Sequence, residues 1–368
     1  MNLATKPKRV ILFIADLAAG GAERVVSILA NTWSADEAIE VLVVVLFDTT
    51  PFYELDPRVR YISLGMTPNE SALRRLANLI TAVSRLRVLL RRERPAFVLS
   101  FIYKYNVFCL AATLGAGVPI IVSERDNPLE DGLEFIWLMR RIFYPAASGL
   151  ITQSEMSRRV MQERTACKDI TIIPNPVDPL AVADPAAREN IILNVGRLFE
   201  KKGQSDLLRA FAALDAPGWR LVICGDGPTR QTLQALARTL GVADRVTFTG
   251  AVSDVGAQLR RARIFAFPSY SEGFPNALAE AMLAGLPCVS YDCPTGPSEI
   301  IQNGVNGYLV ELGGVRELQD RLQELIADDS RAGAMGSEAR KVQGLVNRST
   351  VCERYFDYCM ERAALSPS

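Results

Sequence analysis

Short apolar runs alternate with longer amphipathic segments along most of the chain. In the first half, such runs predict strands at 10–15, 41–47, 61–64, 97–101, 120–123, 150–153 and 170–173, with helix-length segments between most of them. A second series predicts strands at 191–195, 220–224, 246–249, 264–267, 288–291 and 308–310, and helices near 203–214, 228–240, 254–261, 276–284 and 297–302. This alternation is typical of parallel α/β sheets, so the pattern predicts two doubly wound, Rossmann-like halves.

A turn-rich segment, PNPVDP at 174–179, separates the two series. The chain has 368 residues, which favours two domains over one because domains contain roughly 150 residues each. We predict an N-terminal domain at 1–176, a linker at 177–188, a C-terminal domain at 189–346 and a final helix within 347–368. Doubly wound sheets bind ligands at the carboxyl ends of their strands, so the loops after the strands are the candidate functional segments.

Composition excludes several classes of protein. The 41 basic and 41 acidic residues balance, which argues against binding of nucleic acid through bulk charge. The chain has no histidine, and this excludes Ser-His-Asp and Cys-His triads, His-liganded zinc and a histidine general base. There is also no D-x-D spacing, the usual carboxylate pair that holds a metal–diphosphate complex. We therefore predict chemistry that requires neither a metal nor a cofactor.

The cysteine pattern and the hydropathy of the chain favour a cytoplasmic location. The seven cysteines are scattered without a C-x-x-C pair, which favours reduced thiols in a cytoplasmic protein. The apolar run near the N-terminus is short and leads into a charged helix, so we predict no signal peptide. The longest apolar stretch, 107–122, is interrupted by two glycines and a proline and is too short for a membrane span.

The strongest candidate chemistry lies in the segment 264–287. A buried strand is predicted at its start, a loop containing Glu272 follows, and the next helix contains Glu280. The Gly-Phe-Pro break between the two carboxylates keeps them off one helix face, so they are expected to contact different parts of one ligand. The helix start is expected to offer unpaired backbone N–H groups to sugar hydroxyls or an anion, at Phe274, Asn276 and Ala277. The alternative is a solvated loop before an ordinary amphipathic helix.

Two cations flank the first turn of the second half. The segment NVGRLFEKKG places Arg197 just after a predicted strand and Lys202 just before a helix. A diphosphate needs cations fixed on rigid elements, and Arg binds it as a fork while Lys supplies a point charge. A solvated basic turn is the alternative interpretation.

These motifs together resemble a known family. The strand followed by E-G-F-P-N, a second glutamate after seven intervening residues and A-G-L-P-C-V-S closely resemble the E-x7-E signature of retaining GT-B glycosyltransferases of family 4, also called glycosyltransferases group 1. The G-R-x4-K-G spacing resembles the diphosphate-binding pair of that family. The resemblance implies a GT-B fold, two Rossmann-like domains facing each other across a cleft, with the helix at 348–362 returning to the first domain. It also implies that Glu272, Arg197 and Lys202 are the catalytic residues.

Other segments resemble donor-binding parts of the same family. A glycine pair in AAGGAER precedes a helix, where a phosphate or sugar can approach closely, although a steric role is common for such glycines. The exits ICGDGP and FTGAVSD are implied to bind the base, and CPTGPSE is similar to a segment of members that extend lipid-linked saccharides, mostly from UDP-sugars. The implied donor-binding residues are Gly20, Gly21, Gly225, Phe274, Asn276, Glu280 (to the ribose hydroxyls), Thr295 and Gly296.

The segment VSERDNP at 122–128 follows a strand of the first half. Many family members carry a histidine in this half near the reacting carbon, and this chain departs from that pattern. Glu124, Arg125 and Asn127 are the candidates to contact the transferred sugar or the acceptor. A structural role for Glu124 is the equal alternative.

An arginine-rich segment at 71–94 contains seven arginines and one glutamate, a net charge of +6, with apolar residues at helical intervals. A basic amphipathic helix of this kind binds an anionic membrane surface. A solvated helix that covers the sheet is the alternative. We predict peripheral attachment to the inner face of the plasma membrane.

These expectations combine into a cytoplasmic, metal-independent, retaining glycosyltransferase. It would move a hexose or N-acetylhexosamine from a nucleotide sugar, UDP-linked by resemblance, to a lipid-linked saccharide. The alternatives are a transferase with a soluble acceptor, a non-catalytic nucleotide-sugar binder, a sugar-nucleotide epimerase and a glycoside hydrolase, which also uses two carboxylates. A hydrolase has no need for the cation pair, and epimerases of this shape are rich in active-site histidine.

Overall fold

The computed structural model describes residues 7–67, 72–130, 132–180 and 187–366, without the side chains of 72–76. The chain forms two compact units. The first contains the described residues up to Pro176 together with those from Arg348 onward, and the second extends from Val177 to Asn347. At the start of the second unit, the Val177 N–H donates to the Val346 carbonyl oxygen over 2.9 Å.

The first unit is built on a parallel sheet. Its strands are β1 (Lys8–Ile14), β2 (Ile39–Phe47), β3 (Arg60–Met66), β4 (Phe97–Phe101), β5 (Ile120–Ser123), β6 (Gly149–Thr152) and β7 (Ile170–Ile172). The helices are α1 (Gly21–Trp33), α2 (Ala72–Glu93), α3 (Tyr103–Thr113), α4 (Glu134–Phe143) and α5 (Glu155–Arg164). The strand order is β3-β2-β1-β4-β5-β6-β7.

Both faces of this sheet are covered, which explains why its central strands are almost continuously apolar. Along β1, Leu12 and Ile14 pack into one apolar layer, and Ile11 and Phe13 pack into the layer on the opposite face. The final helix, Arg348–Leu365, supplies part of the first of these layers through Val351, Cys352, Tyr355 and Cys359.

The second unit repeats the architecture. Its strands are β8 (Ile191–Val195), β9 (Arg220–Cys224), β10 (Val246–Gly250), β11 (Ile264–Phe267), β12 (Cys288–Tyr291) and β13 (Tyr308–Val310), in the order β10-β9-β8-β11-β12-β13. The helices are α6 (Gln204–Ala212), α7 (Arg230–Thr239), α8 (Val255–Arg261), α9 (Asn276–Leu283), α10 (Pro297–Ile300), α11 (Val315–Ala327), α12 (Asp329–Ala339) and α13 (Gln343–Val346). The helix at Arg348–Leu365 is then α14.

The strand order of the second sheet reverses between β8 and β11, which marks the place where such sheets bind ligands. The two strands pair at only two positions, Ile264 with Ile192 and Phe265 with Leu193. Beyond them, the Asn194 Nδ2 donates to the Ala266 carbonyl oxygen over 2.9 Å, so a side chain replaces the next ladder bond. The loops that follow these two strands carry Arg197, Lys202 and Glu272.

The fold class predicted from the sequence is confirmed. Each predicted strand is present, and its ends differ from the prediction by no more than two residues. All seven cysteines are buried and free. Within the described ranges, no helix has both the length and the apolar character needed to cross a bilayer.

Candidate active site

Lys202 and Glu272 lie in direct contact at the carboxyl edge of the second sheet. The Lys202 Nζ is 2.5 Å from the Glu272 Oε1, although the two residues are 70 positions apart in the chain. Their side chains are 17% and 10% exposed, so both are largely sheltered but remain accessible. The arrangement places one cation and one carboxylate side by side at the strand switch point.

A glycine allows this contact. Gly203 follows Lys202 with a φ of +65°, and a Cβ at this position would lie 1.9 Å from the Pro268 carbonyl oxygen. The Tyr270 N–H also donates to the Lys201 carbonyl oxygen over 2.8 Å. The turn after β8 is therefore packed backbone to backbone on the loop after β11, which we call the acid-bearing loop (residues 268–275).

Gly225, predicted to bind the donor, has a clear packing reason to be glycine. Its φ is +142°, and a Cβ would lie 1.9 Å from the Gly196 carbonyl oxygen. Its N–H donates to the Gly250 carbonyl oxygen over 2.8 Å. The exit of β9 thus lies against the turn that carries Arg197.

Arg197 is exposed, and its guanidinium lies 5.3 Å from the centre of the Phe199 ring. Within the described part of the chain, no ion pair involves this arginine. Its carbonyl oxygen accepts a hydrogen bond from the Gln204 Nε2 at 3.2 Å, which ties the turn to α6. The backbone is therefore fixed while the cationic group stays open to a ligand.

Thr295 and Gly296 hold the acid-bearing loop from the other side. The Thr295 hydroxyl donates to the Glu272 carbonyl oxygen, and Thr295 is only 1% exposed. Gly296 has a φ of +101°, and a Cβ there would lie 2.6 Å from the Pro275 Cδ. Burial, together with the Glu272 carboxylate, raises the pKa of the nearby Cys293 thiol to about 12. These contacts position the loop and keep the thiol protonated.

The start of α9 differs from the prediction in one respect. The Asn276 N–H donates to the Phe274 carbonyl oxygen over 3.0 Å, so the expectation of an unpaired N–H at Asn276 is wrong. The Phe274 side chain packs into the apolar layer of the unit and is 6% exposed. Glu280 follows on α9 and is 5% exposed, which makes it a buried carboxylate close behind the loop.

In the first unit, Gly20 and Gly21 lie at the start of α1, as predicted. The Gly20 backbone is extended, and its carbonyl oxygen accepts a hydrogen bond from the Tyr53 hydroxyl at 3.2 Å. A Cβ on Gly20 would lie 2.0 Å from the Glu23 Oε2. This close approach gives the glycine a steric reason in addition to the predicted one.

Glu124 belongs to a buried polar cluster. Its carboxylate accepts hydrogen bonds from the Arg140 Nε and Nη2 at 3.0 and 2.9 Å, and also from the Tyr144 hydroxyl. Arg140 is completely buried and Glu124 is 1% exposed. Burial, then the Glu124 charge, raises the pKa of Tyr144 well above its usual value. These contacts favour the structural alternative for Glu124.

Arg125 and Asn127 have different surroundings. The Arg125 Nη1 donates to the Asn175 Oδ1 over 2.5 Å, and the Arg125 guanidinium lies 4.8 Å from the centre of the Phe101 ring. The buried Nε and Nη2 of Arg125 have no hydrogen-bond partner in the described ranges, and burial lowers the pKa of this arginine. The Asn127 Oδ1 accepts from the Leu129 N–H at 3.0 Å and closes a turn. The Arg125 guanidinium is enclosed by protein, since it lies over the rings of both Phe101 and Tyr355.

One unusual residue at the first sheet's switch point has no signal in the sequence. Ile102 follows β4 and has a φ of +68°, which a β-branched residue adopts at a cost of roughly 1–3 kcal/mol. Its carbonyl oxygen accepts from the N–H groups of Tyr105 and Asn106 and so starts α3. Isoleucine is an ordinary strand residue, and for this reason the pattern of apolar positions does not reveal the strain.

Both halves of the chain match models of known protein families. The family model of glycosyltransferase family 4 matches residues 19–179, and that of glycosyl transferases group 1 matches residues 181–342. The chain is 28% identical, over 88% of its own length and 90% of the relative's, to GalNAc-alpha-(1->4)-GalNAc-alpha-(1->3)-diNAcBac-PP-undecaprenol alpha-1,4-N-acetyl-D-galactosaminyltransferase from Campylobacter jejuni.

Solved structures show the same fold. Sucrose-phosphate synthase from Thermosynechococcus elongatus superposes with a TM-score of 0.85 over 98% of this chain and all of that chain, at 20% identity. HepE from Anabaena in complex with UDP-glucose superposes with a TM-score of 0.79 over 95% of this chain and 98% of that chain, at 21% identity. These neighbours are GT-B proteins, so the fold is GT-B. The two adjoining family matches and this fold establish that the chain is a glycosyltransferase and belongs to family 4, the glycosyltransferases group 1.

Proposed function

We propose that this protein is a retaining glycosyltransferase that moves a hexose or N-acetylhexosamine from a UDP-sugar to a lipid-linked saccharide. The observation that carries the proposal is the Lys202–Glu272 contact at the switch point of the second sheet, made from the same turn that carries the exposed Arg197. A cation pair with an adjacent carboxylate matches a diphosphate joined to a sugar, since the phosphates need positive charge and the hydroxyls need an acceptor.

In the proposed complex, Arg197 and Lys202 bind the diphosphate and neutralise the charge that develops on it as it leaves. Glu272 accepts hydrogen bonds from donor hydroxyls and keeps the Lys202 ammonium in place. Glu280 binds the ribose hydroxyls. The two cations supply the neutralisation that a metal supplies elsewhere, so we propose that no metal is required.

The chemical step involves one bond made and one bond broken. The acceptor oxygen bonds to the anomeric carbon on the face from which the diphosphate departs, and the bond between that carbon and the phosphate oxygen breaks with its electrons on UDP. The acceptor proton passes to a phosphate oxygen. The configuration at the anomeric carbon is therefore retained, without a histidine base.

Names of similar proteins support the choice of substrates. HepE is described in complex with UDP-glucose, and the Campylobacter relative is named for an acceptor linked to diphosphoundecaprenol. A lipid-linked acceptor requires the enzyme to work at a membrane. We propose that α2 provides part of that contact on the inner face of the plasma membrane, because Arg91 is exposed on it together with Ile80 and Val88. Arg92 is also exposed, although it pairs with Glu93 at 2.9 Å.

Not every arginine of α2 is equally suited to this role. The Arg85 Nη1 donates to the Leu64 carbonyl oxygen over 2.7 Å, and the Arg87 Nε donates to the Ala112 carbonyl oxygen over 2.7 Å. These two side chains hold the helix to its neighbours. The side chains of Arg74 and Arg75, also counted in the sequence prediction, lie outside the described ones.

The test is a screen of UDP-sugars against an undecaprenyl-diphosphate-linked saccharide, with radiolabel measured in the lipid phase. Transfer of label in wild type, its loss in Arg197→Ala, and a retained anomeric configuration by NMR are expected. Activity that persists in EDTA supports the metal-free mechanism. Release of free sugar points to a hydrolase, and tight UDP binding without turnover points to a binding protein; either result refutes the proposal.

A further inference from the structure

A carboxylate on α6 accepts hydrogen bonds from two tyrosines. The Tyr270 hydroxyl donates to the Asp206 Oδ2 over 2.6 Å, and the Tyr291 hydroxyl donates to the same oxygen over 3.2 Å. Asp206 lies in the first turn of α6 and is 8% exposed, and Tyr291 on β12 is fully buried. The two rings meet edge to face, with their centres 5.5 Å apart. Three separate segments of the second unit therefore converge on one oxygen atom.

This convergence lies close in the chain to both charges of the candidate site. Asp206 follows Lys202 by four positions, and Tyr270 precedes Glu272 by two positions within the acid-bearing loop. The Tyr270 N–H donates to the Lys201 carbonyl oxygen over 2.8 Å. Tyr270 is thus bound through its backbone and through its side chain by the segment 201–206, which carries Lys202. This attachment at two points fixes the acid-bearing loop against the turn before α6.

The side-chain attachment is of the strong kind, because a hydroxyl that donates to a carboxylate makes a charge-assisted hydrogen bond. The other oxygen of Asp206 is held as well, since the Arg209 Nη1 lies 3.2 Å from the Asp206 Oδ1. The hydrogen bond to Asp206, followed by burial and by the Asp206 charge, raises the pKa of Tyr270 to about 12. The Tyr270 hydroxyl therefore keeps its proton at neutral pH and remains a donor.

We propose that Asp206 and Tyr270, which we call the positioning pair, hold the acid-bearing loop so that Glu272 meets Lys202 in the geometry that the transfer reaction needs. Neither residue of the pair is proposed to contact the reacting atoms. The inference rests on the proposed function for the roles of Lys202 and Glu272. Loss of the pair is expected to slow the chemical step while the donor still binds.

The first experiment compares the two tyrosines that share the carboxylate. Tyr270→Phe is expected to lower kcat about tenfold, with the KM for the UDP-sugar changed less than about twofold, because Glu272 loses its placement but the donor keeps its contacts. Tyr291→Phe is the matched control, since it loses a hydroxyl on the same oxygen but lies on β12 outside the loop. Its kcat is expected to match that of wild type.

Two results of this comparison overturn the proposal. One is an equal kcat for the two variants. The other is a raised KM with an unchanged kcat in Tyr270→Phe, since Tyr270 would then contact the donor itself. A wild-type protein that transfers no sugar refutes the proposed function instead.

The second experiment repeats Tyr270→Phe in a Glu272→Gln background. If Tyr270 acts through the Lys202–Glu272 contact, the further loss in kcat is less than about twofold once that ion pair is gone. A purely structural role would lower kcat by the same factor in both backgrounds. Equal factors therefore overturn the proposal.

The third experiment tests the acceptor of the hydrogen bond. Asp206→Asn keeps an oxygen that accepts the tyrosine hydroxyls, whereas Asp206→Ala leaves them without this acceptor. We expect Asp206→Asn to retain a kcat close to the wild-type value and Asp206→Ala to be as slow as Tyr270→Phe. An Asp206→Asn variant as slow as Asp206→Ala overturns the proposal.

A measurement without substrates separates this proposal from the proposed function. In hydrogen exchange followed by mass spectrometry, the peptide that covers the acid-bearing loop is expected to exchange faster in Tyr270→Phe than in wild type or in Tyr291→Phe. Unchanged exchange of this peptide in Tyr270→Phe overturns the positioning role, whether or not the protein transfers a sugar.

Discussion

At the scale of single residues, the contact between Lys202 and Glu272 is the most informative. The ion pair with Glu272 restrains the Lys202 side chain. In the proposed complex, Lys202 therefore loses little side-chain entropy when it binds the diphosphate. The same contact keeps the carboxylate from pointing into solvent. Each side chain therefore orients the other before the donor binds.

Replacing Lys202 by Met is expected to lower kcat about a hundredfold, since one preorganised charge on the leaving group is lost. Lys201→Met is the matched control, because Lys201 is exposed and its carbonyl oxygen, which accepts the Tyr270 N–H, is retained. Glu272→Gln is expected to lower kcat while UDP binds at least as tightly as in wild type. The measurements are UDP release and calorimetric titration with UDP. Equal rates for the Lys202 and Lys201 variants would contradict the assignment.

We expect Thr295 to affect catalysis by positioning the acid-bearing loop, to which its hydroxyl donates a hydrogen bond. Thr295→Val removes the donor to the Glu272 carbonyl oxygen, a partly buried hydrogen bond whose loss costs about 1 kcal/mol. We expect kcat to fall at least tenfold with little change in UDP affinity, and Thr295→Ser to restore it. Steady-state kinetics on both variants decide the matter: if UDP affinity falls in parallel with kcat, then Thr295 contacts the donor itself, as the sequence predicts.

The sequence predicted which loops carry the candidate residues, but it did not predict which side chains contact one another. The motifs locate Arg197, Lys202 and Glu272 in loops after strands, and the structure finds them there. The Lys202–Glu272 contact depends on which strands are neighbours, and the order β8-β11 follows from the folding of the whole sheet. The same applies to Glu124, whose partner Arg140 lies on the next helix and shows no periodicity that marks it as buried.

At the scale of elements, two turns meet through glycine at the candidate site. Gly203→Ala combines a left-handed φ with a clash against the Pro268 carbonyl oxygen. Gly241 has nearly the same φ, +70°, and a Cβ at that position would have no atom within 4 Å, so Gly241→Ala reports the conformational cost alone. We expect Gly241→Ala to lower Tm by about 2–4 °C and Gly203→Ala by at least twice that. Differential scanning calorimetry tests this; equal shifts would mean that the close contact costs nothing.

A second element-scale feature is the ion-pair cluster where β1, β2, β3 and α2 meet. Hydrogen bonds from Arg60, opposed by burial and helped by Arg92, lower the pKa of Glu93 to about 2. Because the folded pKa lies below the unfolded value of about 4.5, the stabilisation is present above pH 4.5 and is lost as pH falls toward 2. Arg60 is 40% exposed, so solvent screens the interaction.

Glu93→Gln is therefore expected to be less stable than wild type at pH 7, by roughly 1–2 kcal/mol after this screening. The difference is expected to shrink at about pH 3.5, where the unfolded carboxyl is already largely protonated. Urea unfolding at both pH values measures it, with Glu37→Gln, which is exposed, as the control. A gap between Glu93→Gln and wild type that is the same at both pH values would contradict the pKa shift.

Element positions were predictable because burial on both faces produces uninterrupted apolar runs of strand length. What escaped prediction was backbone detail, such as the strained Ile102 and the paired Asn276 N–H. Both depend on how a loop closes against its neighbours. The orientation of α4 was also missed: Phe135 and Leu138 are exposed on it, whereas Arg140 is buried. A helical spacing of apolar residues does not say which side of the helix faces the sheet.

At the scale of the whole molecule, the two units differ in how the chain builds them. The second unit is one continuous segment with two apolar layers of its own. The first unit is discontinuous, because α14 completes one of its layers. The Trp33 Nε1 donates to the Cys352 carbonyl oxygen over 3.0 Å, and the rings of Trp33 and Phe97 both contact Phe356.

This difference predicts unequal behaviour of fragments. A fragment 177–347 is expected to fold alone and to bind UDP, because Arg197, Lys202 and Glu280 all lie within it. A fragment 1–176 is expected to aggregate, since without α14 it exposes the side chains that Tyr355 and its neighbours cover. Joining 348–368 to it through a flexible linker is expected to restore a cooperative unfolding transition.

Circular dichroism, together with calorimetric titration of fragment 177–347 and its Lys202→Met variant with UDP, tests both halves of the prediction. A soluble, cooperatively unfolding 1–176 would show that α14 is dispensable, and UDP binding unaffected by Lys202→Met would place the nucleotide elsewhere.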